Sequence, residues 1–122
     1  MTTFAAKRYI LSESIVYERT HSMELKTTVD GNKVTIEIEG KLSVATSPDL
    51  EAAVQGQSAE ITDFDMDLTK LEYISSAGLR VLVSTEKLAN QRGGKMRLLH
   101  PSEEVVEIFD MTGLADVFEI VA

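Results

Sequence analysis

The chain has 122 residues, no cysteine, 43% hydrophobic residues and a formal net charge of −8 at pH 7. That length and apolar share suit one domain around a single core, and the missing cysteines exclude disulfides, thiolate metal sites and cysteine nucleophiles. The acidic balance argues against nucleic acid or an anionic membrane as partner, and the chain has neither an apolar run of about 18 residues nor the apolar stretch of a signal peptide, which predicts a cytoplasmic protein without membrane contact.

Residues 1–22, MTTFAAKRYILSESIVYERTHS, show neither sustained alternation nor a helical stripe. They read as an N-terminal extension, either a flexible arm or an upstream-start artefact ahead of Met23. Tyr9, Ile10, Leu11, Ile15, Val16 and Tyr17 leave a rival reading open, a short strand or an oligomer contact. A regular pattern occupies residues 23–122. LKTTV and VTIEIEG flank the turn residues DGN, which predicts a β-hairpin. TSPDLEAAVQG predicts a short helix with Ser47 as N-cap, Pro48 at its first position and Gly56 just past its end. DFDMDL alternates as a strand, and a further strand-like run, LEYI, precedes two adjacent serines. SAGLRVLVSTEKLANQRGG then predicts a second helix, capped by Ser76 and closed by Gly93 and Gly94. KMRLLH is another strand, SEEVVEIFDMTG a third helix capped by Ser102 and stopped by Gly113, and VFEIV a short last strand.

Strands separated by helices require parallel crossovers, so the predicted fold class is α/β, a mixed β-sheet opened by a β-hairpin. Val34, Ile36 and Ile38 alternate with Thr35, Glu37 and Glu39, and Phe64, Met66 and Leu68 alternate with Asp63, Asp65 and Asp67. Strands covered on both faces read as continuous apolar runs, so helices are expected mainly on one face, with the other largely wet. If DFDMDL and KMRLLH are neighbours, Lys95 and Arg97 lie across from Asp65 and Asp67, in exposed pairs worth at most ~1 kcal/mol.

Most chemistry-bearing patterns read as ordinary surface. Asp63, Asp65 and Asp67 invite a metal-dependent hydrolase reading, but same-face neighbours on a strand stand about 6.5 Å apart, too far for one small cation. His21 and His100 are isolated, and no spacing resembles a zinc site. The surroundings of Ser75 and Ser76 are not G-x-S-x-G and carry no matching histidine and acid. Neither a metal, nor a cofactor, nor catalysis is expected. What the serines offer is a place where a phosphate can be added without melting a helix, because a dianion is favoured near the first turn. Gly78 reads either as a tolerated glycine or as a bare helix start that admits a partner's backbone. Arg80, on the same turn, reads either as a contact for a phosphate or as an ordinary solvated charge, with the solvated reading preferred.

The segment DLTKLEYISSAGLRVL, with GKLSVATSPDLEAAV before it and GGKMRLLHPSEEVVEIFDMTGLADVFEIV after it, closely resembles the STAS domain of bacterial anti-sigma factor antagonists over roughly residues 23–122. The resemblance implies a STAS-like sheet and a protein that binds a cognate anti-sigma factor serine kinase, frees a sigma factor and regulates transcription. It implies phosphorylation of the serine two residues before the glycine, here Ser76, with Ser75 as the alternative acceptor, and a serine phosphatase that restores binding. The partner-binding surface so implied comprises Ser43, Thr46, Ser47, Ser75, Ser76, Ala77, Gly78 and Leu79, on a monomer or weak dimer. Two positions depart from the family pattern: Ser75 stands where aspartate is common, and Ser43 where an acidic residue is frequent. A module of a transporter or sensor complex without a phospho-switch is the rival reading.

Overall fold

The computed structural model describes residues 22–122 and, within residues 1–21, the backbone of two strands, β1 (Lys7–Ile10) and β2 (Ile15–Arg19). These pair antiparallel with each other, and β2 pairs with β3 (Met23–Asp30). Whether residues 1–22 form a flexible arm or follow from an upstream start lies outside the described residues.

The expected hairpin is present: β3 turns through Gly31 and Asn32 into β4 (Lys33–Leu42), with Asp30 opposite Lys33. Helix α1 (Ser47–Gln55) leads to β5 (Asp63–Asp67) and β6 (Leu71–Ile74), then α2 (Ser76–Gln91), β7 (Met96–Leu99), α3 (Glu103–Thr112), a 3-10 turn over Leu114–Asp116 and β8 (Glu119–Val121). The sheet order is β1-β2-β3-β4-β5-β7-β8, and β4, β5, β6, β7 and β8 are joined by parallel pairings.

The long strand β4 serves two partners. Lys33–Glu37 pairs with β5, and Gly40–Leu42 pairs with β6, with a register shift between Gly40 and Lys41. Gly40, at φ 99°, permits that change of partner: a Cβ there would meet the Ser22 carbonyl, and such a backbone strains any other residue. As a result the ends of β4 and β6 lie side by side, Leu42 against Ile74.

The alternation resolves as read. Val34, Ile36, Ile38, Phe64, Met66, Leu68, Met96 and Leu98 are fully buried on the helix side, each such side chain worth about 1.5–3 kcal/mol of transfer from water. Helix α2 adds Leu79, Leu82 and Ala89, spaced to one face. Phe109 of α3 meets Phe118 edge to face at 5.6 Å, which pins the C-terminal turn. The opposite face is wet except at its centre, where Asp65 is only 3% exposed.

Two helix starts differ by one residue from expectation. The N-cap of α1 is Thr46 and not Ser47, with no side-chain cap bond. The N-cap of α2 is Ser75 and not Ser76. Backbone pairing decides the second, because Ser75 N–H still donates to the Leu42 carbonyl at 2.8 Å, which holds Ser75 extended and leaves Ser76 as the first helical residue. Ser102 caps α3 as expected, accepting from Val105 N–H, and Gly113 ends it at φ 78°.

Candidate functional site

The two serines between β6 and α2 divide their labour. Ser75, at φ −94° and ψ 173°, turns its hydroxyl inward; its Oγ accepts from Gly78 N–H at 3.2 Å, and the residue is 9% exposed. That bond satisfies one of the donors that a helix leaves open at its start. Ser76 projects to solvent, and among the described residues no hydrogen bond engages its side chain. One hydroxyl is committed to the fold and its neighbour is free to react.

The loop between β4 and α1 lies next to this turn, because β4 and β6 end together. It is braced from within. Thr46 Oγ1 accepts from Ser43 N–H at 2.8 Å and donates to the Lys41 carbonyl at 2.8 Å, while Ser47 N–H donates to the Ser43 carbonyl at 2.8 Å. Thr46 and Ser47 are buried, and Ser43 is half-buried. The brace turns Val44 outward, 71% exposed, and on the adjoining strand Tyr73 is 47% exposed. Both are exposed hydrophobic side chains, and tyrosine is among the residues enriched at the energetic centres of protein interfaces.

The residues expected at a docking surface differ in exposure. Thr46, Ser47, Ser75, Gly78 and Leu79 are buried, whereas Ser76 is exposed and Ser43 and Ala77 are half-exposed. Gly78 is more than a tolerated glycine. A Cβ at 78 would lie 2.7 Å from Leu42 Cγ and 3.0 Å from Ile74 Cγ1, so the glycine lets the first turn of α2 seat on the core. Val44 and Tyr73 escaped the sequence reading. Their one signal is an apolar residue in the polar loop SVATSP and an aromatic ring out of step with Leu71 and Ile74.

The aspartate row of β5 is occupied by its own chain. Asp65 takes two bonds from Arg97, Nε at 3.0 Å and Nη2 at 2.7 Å, with Lys33 Nζ at 3.7 Å. The hydrogen bond to Asp65, and then its charge, raise the Arg97 guanidinium above its ordinary pKa. This pair is buried on the carboxylate side and is not the exposed contact expected. Asp67 Oδ1 accepts from Thr69 N–H and Oγ1, at 3.0 and 2.6 Å, and Asp63 Oδ1 accepts from Lys95 N–H at 3.2 Å. The three carboxylates thus serve separate partners. Among the described residues no cluster of histidine and acidic side chains is arranged to hold a metal ion, and no helix is long and apolar enough to cross a membrane.

Comparison with known proteins agrees with this architecture. The family model described as STAS domain matches residues 24–122. An anti-sigma-B factor antagonist of Bacillus subtilis is 32% identical over 91 residues, covering 75% of this chain and 84% of that protein. Its counterpart in Staphylococcus epidermidis is 30% identical over 100 residues, covering 81% and 93%. Among solved structures, an anti-sigma factor antagonist from Mycobacterium paratuberculosis aligns with a TM-score of 0.72 at 21% identity, covering 82% of this chain and 86% of that one. The phosphorylated form of the Bacillus cell fate determinant SpoIIAA aligns with a TM-score of 0.62 at 20% identity, covering 83% and 92%.

Proposed function

Because this chain belongs to the STAS domain family, we propose that it is an anti-sigma factor antagonist: unmodified, it binds a cognate anti-sigma factor serine kinase and so releases a sigma factor, and phosphorylation of Ser76 ends that binding. The names of its relatives support the first half of this reading. The division between Ser75 and Ser76 carries the second. A phosphoacceptor must enter a kinase active site, and of the two hydroxyls only that of Ser76 is exposed and unengaged. Ser75 would have to abandon the cap of α2 first. A serine phosphatase returns the protein to its binding state, and the circuit operates in the cytoplasm, where transcription does.

In this mechanism the protein is a switch and not a catalyst. The unmodified turn presents the small side chains of Ser76 and Ala77, with Val44 exposed on the loop after β4 and Tyr73 exposed on β6. A phosphate adds about −1.5 to −2 charges at that centre. Burying such a charge without a partner costs several kcal/mol, and every 1.4 kcal/mol is about tenfold in affinity. Orders of magnitude in binding follow from one covalent change that leaves the fold alone.

The test is intact mass after incubation with ATP and a lysate of the source cells, for the wild type and Ser76→Ala. One added phosphate that disappears in the variant is expected. Wild-type protein that stays unmodified in a lysate whose kinases are demonstrably active overturns the phospho-switch and leaves a docking module of a transporter or sensor complex.

A further inference from the structure

Arg80 stands four residues beyond Ser76 on α2, in the spacing that makes two side chains neighbours on a helix surface. Helical side chains lean toward the N-terminus and cover the turn before their own Cα, which puts Ser76 within the reach of an Arg80 side chain. Arg80 is exposed and forms no ion pair among the described residues, in contrast to Arg97 and Lys33, which are committed to Asp65. On a chain of net charge −8 this leaves an unengaged cation one turn from the free hydroxyl.

We propose that Arg80 receives the phosphate of phosphorylated Ser76, its planar guanidinium donating N–H bonds to the phosphate oxygens across the first turn of α2. The acid-before-base order at i, i+4 is the favoured one. Modification then acts twice on the docking surface: it installs a dianion, and it takes away a cation that the unmodified protein offers to carboxylates of its partner. This inference rests on the reading of Ser76 as the phosphoacceptor.

The experiment installs phosphoserine at position 76 during translation, so that no kinase is needed, and follows its second ionisation by phosphorus NMR at low salt. An ordinary phosphoserine titrates near pH 6. In the wild-type background the midpoint is expected about 0.15–0.4 pH unit below that in Arg80→Gln, with Arg80→Lys in between and the difference fading at about 1 M salt. The exposed side chains of Lys41 and Glu72 on the adjoining strands are the same in all three proteins, so the difference isolates Arg80. Equal midpoints for wild type and Arg80→Gln at low salt overturn the proposal. Failure of the lysate experiment with the midpoint shift intact would instead remove Ser76 as the natural acceptor, so the two readings fail separately.

Discussion

The wet face of the sheet and the turn after β6 both set polar side chains side by side, and they treat them in opposite ways. On the sheet each aspartate of β5 finds a partner within the chain, and the central one is buried beneath Arg97 and Lys33. At the turn the chain uses Ser75 and leaves Ser76 unused. A row of three carboxylates looks more like chemistry than a pair of serines does. Yet a polar group already holding an internal partner has little left for an external one. The unspent group is the one left available to a partner or a modifying enzyme.

The largest effect should come from breaking the sheet side of this contrast. Arg97→Ala leaves the Asp65 carboxylate buried with only Lys33, at 3.7 Å, to offset its charge. Removing one partner of a buried pair is costly because of the charge left behind, so we expect a loss of about 3 kcal/mol in urea unfolding. A loss under about 1 kcal/mol would mean that water reaches Asp65 and that the row is not sealed. Next in size is Gly78→Ala. Alanine favours helices, but here its methyl enters the space of Leu42 and Ile74, and overpacking of this kind costs about 1–3 kcal/mol. An unchanged melting temperature would show that the turn is held more loosely than the structure has it.

These two positions also show where reading residues stops. Period two told which face Asp65 occupies but not its depth, which depends on β5 lying between β4 and β7 and on the reach of Lys33 and Arg97 from those strands. The hairpin at Gly31, the cap at Ser102 and the stop at Gly113 were legible because each is decided by residues a few places apart. Gly78 was not, since its constraint comes from Leu42, distant in sequence. The same holds for the cap of α2: a backbone bond to Leu42, and not local propensity, makes Ser75 the last extended residue. Local patterns drew the elements, and contacts between distant strands decided which serine faces outward.

The finest test lies within the serine pair itself, where the same loss of one hydroxyl oxygen should have two different outcomes. Ser75→Ala removes the oxygen that accepts from Gly78 N–H in a buried setting, and loss of such a cap costs about 1 kcal/mol. Ser76→Ala removes a hydroxyl that bonds nothing among the described residues, so its stability should stay within about 0.5 kcal/mol of wild type. Phosphate acceptance should rank the other way: retained by Ser75→Ala at a temperature where it is folded, and lost by Ser76→Ala. Parallel unfolding curves and intact masses on both variants decide the matter. If the two alanines cost the same stability, Ser75 is not the cap, and the separation of structural from reactive hydroxyl collapses. If stability separates them and modification does not, the kinase reaches a serine that the helix needs, and phosphorylation would act by loosening α2 and not by adding charge to an intact surface.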